Sequence, residues 1–217
     1  MYKGNVKMKV LFCKVSSMKF YKGACEQDVP YNGGKFVDEN GFGHEEFNFL
    51  PIELEGSEKN MCLGFVEPKS NKGTRNTIHI EKIEGCGACR KEESIDDVLV
   101  IWCATRHRGD ITVVGWSKHA TVFRDLQEWT MIFDDGAEEG RWYNIVSESD
   151  NCTLLPEGER NRFAWYVPSA RYTRSFGFGQ SMLWYPTEDT AKEYLNNLLH
   201  NIENYEGDNW LDKFPDM

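Results

Sequence analysis

The sequence predicts an α+β protein that is mostly β: a small, curved β-barrel with a long irregular first loop and a C-terminal amphipathic helix. Three observations lead to this. Apolar and β-branched runs separated by short breaks fill the first three quarters of the 217-residue chain. Near the C-terminus, apolar residues recur every three or four positions. A glycine-rich segment without a regular hydrophobic period separates the first predicted strand from the other predicted elements.

The strands are predicted from runs of apolar and β-branched residues, and one of them is expected at the centre of the sheet. Val98–Ala104 is apolar at consecutive positions, which is typical of a strand buried on both faces. The segment 77–83 alternates between polar and apolar residues, as a half-buried strand does. The predicted strands are Lys9–Val15, Cys62–Glu67, Thr77–Ile83, Val98–Ala104, Ile111–Trp116, Ala120–Arg124, Trp142–Val146 and Thr153–Leu155.

The C-terminal helix is predicted over residues 187–206. Thr187 suits the N-cap position, and Gly207 suits the position that follows the last turn. Its apolar positions are Ala191, Tyr194, Leu195, Leu198, Leu199, Ile202 and Tyr205.

Residues 16–56 form the predicted loop insertion. Glycines alternate there with aromatic residues, a composition that disfavours disorder. We expect this loop to fold over one mouth of the barrel. No internal repeat or linker interrupts the sequence, so residues 1–217 are predicted to form a single domain.

The bulk composition narrows the classes of function. The chain has 35 acidic residues against 25 lysines and arginines, a net charge of −10, so nucleic-acid binding would need a local cationic patch. Mean hydropathy is −0.59, and no apolar run approaches the roughly 20 residues of a membrane span. The N-terminus lacks the apolar core of a secretory signal. A cytoplasmic protein without membrane contact is therefore expected.

One strip departs from this acidic background. Residues 160–186 contain no aspartate or glutamate, but four arginines and eight aromatic residues. Such a strip is typical of a surface that meets a phosphate or a flat ring. Ordinary core aromatics with a rim of solvated arginines remain the alternative, because aromatic enrichment more often reflects packing.

Two short segments are the most distinctive. In Val113–Arg124, Gly115 interrupts a strand, which indicates a bulge or the close approach of another backbone. In Ser175–Tyr185, Gly177 and Gly179 would let the backbone approach a ligand closely. A strand–turn–strand with a core tryptophan, and a tight turn between strands, are the structural alternatives.

Metal and redox chemistry have weaker support. Cys86 and Cys89 have the spacing of half a zinc knuckle, but no second C-x-x-C exists. A redox pair would lack the usual βαβ context. Most of the seven cysteines lie in apolar stretches and are expected to be buried and reduced. Carboxylates for a metal-dependent nuclease or nucleotide hydrolase could come from Asp38, Glu39, His44–Glu46 and the Glu67-Pro-Lys69 stretch. No cofactor is expected.

Several stretches together resemble a family of bacterial proteins. They are Lys9–Cys13, the loop from Asn32 to Phe49, Val113–Arg124 and Ser175–Tyr185. In that family the domain occurs alone or N-terminal to an HNH-type nuclease in restriction systems. A looser similarity, carried by 97–104 and 111–116, is to the PUA superfamily with its EVE, YTH and ASCH groups. The first loop is longer than in a minimal EVE domain, and no HNH residues are present.

The resemblance implies a non-catalytic nucleic-acid-binding module that recognises a modified, flipped base in an aromatic pocket, with any nuclease activity in a fused or partner subunit. DNA is expected rather than RNA. The residues expected at the base are Trp116, Trp165, Trp184, Tyr185, Gln180, Ser181 and Asn48. Those expected at phosphates are Lys118, His119, Arg124, Arg171 and Arg174. An enzyme and a protein-interaction module remain the alternatives.

Overall fold

A computed structural model describes residues 8–32, 43–54, 56–68, 77–132 and 136–215. It is a mixed α+β protein built mostly from one large sheet. The strands are β1 Lys9–Val15, β2 Pro51–Ile52, β3 Met61–Gly64, β4 Ser94–Thr105, β5 Ile111–Ile132, β6 Glu138–Glu148, β7 Cys152–Leu154, β8 Tyr166–Val167 and β9 Leu183–Trp184. The α-helices are α1 Ala170–Thr173 and α2 Lys192–Glu203, and short 3-10 turns connect several elements.

The sheet has the order β2-β3-β6-β5-β4-β1-β9, and β7 and β8 also pair with β5. β1 runs parallel to β4, whereas β5 is antiparallel to both β4 and β6. Within the described residues no pairing joins β2 to β9, so the sheet is not closed and the predicted barrel is not confirmed. None of the described helices has the length and apolar character needed to cross a bilayer.

Both faces of the sheet are covered, and alternation along β1 and β4 divides the core into two layers. In β1, Leu11 and Cys13 pack in one layer, whereas Phe12 packs in the other. Helix α2 covers the second layer through Leu198 and Ile202, which are almost fully buried. The prediction that β4 is central and buried on both faces is confirmed.

The polar stretch at Ser117–His119 does not end a strand as predicted. β5 continues through it, and Ser117 is buried as the acceptor of a 3.1 Å hydrogen bond from the Trp102 indole. His119 has a φ of 51° and faces Asp97, whose φ is 60°, where the β4–β5 register shifts. The polar residues therefore form an irregularity inside one long strand.

Gly115 confirms the predicted close approach of another backbone. A Cβ atom there would lie 2.2 Å from the carbonyl oxygen of Thr153 in β7 and 2.7 Å from the Phe49 ring. Only glycine allows β7 and the first loop to pack against β5 at this point.

Two predicted elements are wrong in type or length. The segment predicted as a strand at Thr77–Ile83 contains a 3-10 turn at Ile80–Lys82. Ile78, Ile80 and Ile83 are all buried, but the Ile80 and Ile83 amides donate to carbonyls within the segment instead of to a neighbouring strand. The C-terminal α-helix is shorter than 187–206, because a 3-10 turn at Asp189–Ala191 precedes it and it ends at Glu203.

The first loop contributes to the core. Tyr21 and Phe49 are fully buried in the layer opposite α2, where their rings lie 5.6 Å apart. Residues 33–42 of the loop, with Asp38 and Glu39, lie outside the described residues.

Candidate nucleic-acid interface

The three tryptophans expected to stack on a base are buried in the core. Trp116 and Trp165 are 2% and 3% exposed, and their rings stack on each other at 5.6 Å. Trp184 is 4% exposed and packs 4.5 Å from the Phe12 ring. In this arrangement their faces are covered by protein, so the structure does not bring them to a surface where a base could stack.

The polar residues expected at the base edge also make contacts within the protein. Asn48 is 1% exposed, and its amide exchanges two hydrogen bonds, at 2.8 and 3.0 Å, with the backbone of Phe65. The hydroxyl of half-buried Tyr185 accepts from the His79 amide, and burial raises the pKa of Tyr185. Ser181 accepts from the Leu183 amide. Gln180 is exposed and has a contact within the protein.

The cations expected at phosphates have different surroundings. Arg124 is half-buried and donates to Glu81 at 2.8 Å and to two backbone carbonyls, so its guanidinium serves the fold. His119 is exposed and pairs with Asp97 at 2.7 Å. Lys118 is half-buried on β5. Arg171 and Arg174 are exposed, and no described acid forms an ion pair with either.

The pair of Arg124 and Glu81 has a consequence at acid pH. Burial by itself would raise the pKa of Glu81, but hydrogen bonds from Arg124, from the backbone and from His79 outweigh it and lower the pKa from 4.5 to about 2. A carboxylate with a lowered folded-state pKa contributes stability that is present above pH 4.5 and is lost as the pH falls toward 2.

We therefore expect Glu81→Gln to remove part of the acid sensitivity of the protein. Urea unfolding measured at several pH values should show a shallower fall of the unfolding free energy between pH 4.5 and 2 in the variant. Identical slopes in the wild-type protein and the variant would contradict this assignment.

Arg160, the first arginine of the acid-free strip, is also structural. It is 5% exposed, and its guanidinium donates to the carbonyls of Leu155, Met18 and Lys19 at 2.6–2.8 Å. Asp28 complements it, since its carboxylate accepts from the amides of residues 19, 20 and 21. Together the two charged side chains hold residues 16–21 against the sheet.

This segment forms one wall of a cavity of about 740 Å³ that we call the stacking cleft. Its opposite wall is the turn that joins β4 to β5. The residues that line it include Lys19, Tyr31, His107, Arg108 and Arg160. The rings of Tyr31 and His107 stack with their centroids 4.1 Å apart and their planes 4° apart.

Hydrogen bonds and an ion pair hold the segments that carry these two rings in place. Tyr31 is paired with Ser17 through two backbone hydrogen bonds, and the neighbouring Asn32 side chain donates to the Thr105 carbonyl at the end of β4. The β4–β5 turn is closed by the Arg106–Asp110 ion pair and needs glycine at 109, where φ is 86°. His107 and Arg108 are left exposed at its tip.

The carboxylates of Asp28 and Glu157 line the stacking cleft together with a larger number of basic residues, whose charge is unevenly compensated. Arg106 is neutralised by Asp110, and the Lys19 ammonium lies 4.7 Å from the centre of the Phe20 ring. Arg108 forms no ion pair with any acid in the described ranges. An exposed guanidinium without an ion pair, beside a stacked ring pair, has the chemistry to bind a flat, negatively charged ligand.

A second cavity, of about 330 Å³, adjoins the stacking cleft, and Arg108 lines both. We call it the Lys14 cavity. Lys14 at the end of β1 and Arg171 in α1 also line it, as do Tyr166 and Tyr172. Of the predicted phosphate-binding residues, Arg171 alone is among the side chains that line this cavity or the stacking cleft.

Tyr31, His107, Arg108 and Lys14 are not among the site residues predicted from the sequence. A signal was available in Arg106-His107-Arg108-Gly109-Asp110, which places three basic residues and a glycine between two predicted strands. Tyr31 and Lys14 carry no comparable local signal, because only the tertiary structure brings them to this end of the sheet.

The residues considered for metal chemistry are dispersed or engaged. Within the described residues no group of three histidines, cysteines, aspartates or glutamates is arranged to hold a metal ion. Glu46 is 3% exposed and pairs with Arg141 at 3.0 Å. All seven cysteines are free; Cys86 is buried and Cys89 half-buried, with Cys13, Cys62 and Cys103 buried as predicted. Lys69 lies outside the described residues.

Comparison of the chain with protein-family models, with curated proteins and with solved structures finds no match.

Proposed function

We propose that this protein is a non-catalytic nucleic-acid-binding module that holds an exposed base in the stacking cleft. The observation that carries the proposal is the Tyr31–His107 ring pair beside the unpaired Arg108. His107 is exposed, so a third flat ring can extend the stack on its outer face. Stacking of a base on an aromatic side chain contributes about 1–3 kcal/mol.

The charge distribution supports a local contact rather than binding by the whole surface. A protein with a net charge of −10 repels a polyanion except where cations are concentrated. Around the β4–β5 turn, Lys14, Lys19, Arg108 and Arg171 provide that concentration. A base on His107 would place its flanking phosphates beside these cations.

The finer features of the proposal come from the sequence. They are a modified base that is flipped out of DNA, a PUA-like fold, and a nuclease in a fused or partner subunit. A flipped base needs stacking faces and a polar edge. The stacking cleft provides the ring faces and polar groups, whereas Trp116, Trp165 and Trp184 stabilise the core behind it.

The proposal is tested by binding labelled oligonucleotides to matched variants. His107→Ala and Arg108→Ala are each expected to weaken binding about tenfold, because one removes a stacking face and the other a phosphate contact. Arg90→Ala is the control, because Arg90 is exposed and precedes β4 whereas Arg108 follows it. The two residues therefore lie beyond opposite ends of β4, a strand roughly 35 Å long.

Fluorescence anisotropy at two salt concentrations measures these affinities. Arg108→Ala should also reduce the dependence of binding on salt, whereas Arg90→Ala should not. A His107→Ala/Arg108→Ala double variant that binds like the wild-type protein would contradict the proposal. Comparing modified with unmodified oligonucleotides then identifies the preferred base, and stable co-purification of a protein partner without nucleic acid would favour an interaction module.

A further inference from the structure

The Lys14 cavity has a cationic wall built from three separate parts of the chain. Lys14 comes from the end of β1, Arg108 from the β4–β5 turn and Arg171 from α1. These residues are far apart in the sequence, so the cavity results from the tertiary fold. At about 330 Å³, it has roughly half the volume of the adjoining stacking cleft and suits a smaller group.

Ion pairs with described acidic residues do not neutralise the positive charge of this wall. In the part of the chain that the structure describes, none of the three cations forms an ion pair with an acid. Among the described residues that line the cavity, Asp110 provides the one carboxylate, and it is already paired with Arg106. The wall therefore carries more positive charge than its own groups compensate.

Lys14 is the least solvated of the three. It is half-buried, burial lowers its pKa, and its ammonium lies 5.6 Å from the centre of the Phe178 ring. An ammonium that has lost water without gaining a carboxylate raises the free energy of the folded protein. A bound anion would compensate that cost, so this residue favours an anionic ligand in the cavity.

The number of cations distinguishes between two kinds of phosphate. A phosphodiester within a strand carries one negative charge, whereas a phosphate monoester carries about 1.5 to 2 at neutral pH. Arginine also matches phosphate oxygens with its fork of N–H donors, and two of the three cations are arginines. Three unpaired cations around a small cavity match the monoester better.

We propose that the Lys14 cavity binds a terminal phosphate monoester of a nucleic-acid strand, while the adjacent base stacks in the cleft on Tyr31 and His107. This inference rests on the proposed function, since the base and the phosphate belong to the same ligand. Arg108 lines both cavities and contacts the ligand between them. The protein would then recognise the end of a strand.

The test compares oligonucleotides of one sequence that carry a 5′-phosphate, a 3′-phosphate or hydroxyl groups at both ends. The wild-type protein should bind one phosphorylated form about tenfold more tightly than the hydroxyl form. Arg171→Gln and Lys14→Met should each remove this preference. Arg174→Gln is the matched control, because Arg174 is exposed and lies three residues further on, but does not line the cavity.

Thermal unfolding of each variant verifies that it is folded. If the Lys14→Met variant is not folded, the result for Arg171→Gln decides the test. Equal affinity for all three oligonucleotides would overturn the inference; if Arg108→Ala still weakened binding, the proposed function would stand. Binding of a nucleoside monophosphate that Arg171→Gln abolishes, without binding of any oligonucleotide, would overturn both the strand-end assignment and the proposed function. It would leave a free mononucleotide as the ligand.

Discussion

Arg160→Ala is expected to lower the free energy of unfolding by about 3 kcal/mol or more, although a guanidinium is ordinarily a surface group. Three of its N–H groups donate to the carbonyls of Leu155, Met18 and Lys19, and these bonds connect the segment after β7 to the first loop. Alanine would leave these carbonyls without their donor and a space where the side chain was. Urea unfolding should show a lower midpoint. Arg160→Lys should not restore the wild-type midpoint, because an ammonium cannot reproduce the planar arrangement of guanidinium N–H donors.

Arg162→Ala is the matched control. The Arg162 side chain is 69% exposed and forms one surface ion pair with Glu159 at 3.0 Å. Its removal is expected to change the unfolding free energy by no more than about 0.5 kcal/mol. Equal effects at positions 160 and 162 would contradict the structural role of Arg160.

Arg160 also lines the stacking cleft, and it holds the segment 16–21 that forms one wall of this cleft. Its loss should therefore weaken oligonucleotide binding through disorder of that wall.

Trp116→Ala is expected to destabilise the protein by about 3–5 kcal/mol, because it removes a 2%-exposed indole from the layer under α2. Trp165 would lose its stacking partner and Tyr205 an edge-to-face contact at 5.5 Å. Chemical unfolding measures the effect directly. Any loss of oligonucleotide binding in this variant should follow the fraction of unfolded protein.

Phe163→Ala provides the comparison for the same class of side chain. Phe163 is 89% exposed, so its truncation should leave the unfolding midpoint nearly unchanged. A Trp116→Ala protein that unfolds like the wild type but no longer binds oligonucleotides would contradict the core assignment. It would return Trp116 to the base-binding role that the sequence predicts.

The acid-free strip shows why composition alone could not locate the site. Aromatic side chains and arginines occur both in cores and at binding surfaces, and the strip contains residues of both kinds. Arg160 and Trp165 are buried parts of the fold, whereas Arg171 lines the Lys14 cavity. Nothing in the local pattern separates them, because burial at each position depends on what packs against it from elsewhere.

Local pattern was informative where a segment is buried regardless of its partners. β1 was predicted with its observed bounds, and β4 was predicted as central because its apolar run continues on both faces. The same reasoning failed at Thr77–Ile83, since alternating apolar residues can also be buried by a 3-10 turn. The same reasoning also predicted a break in β5 at Ser117–His119, where the buried Ser117 side chain accepts a hydrogen bond inside the sheet.

By itself, the sequence determined that the chain is mostly β, that β4 lies at the centre and that an amphipathic helix follows near the C-terminus. The tertiary structure alone decided that the strip's tryptophans belong to the core, and that Tyr31 meets His107 beside Arg108. The physical reason is that hydrophobic periodicity is a local property of the chain. A binding site depends on residues distant in sequence that only the packed sheet brings together.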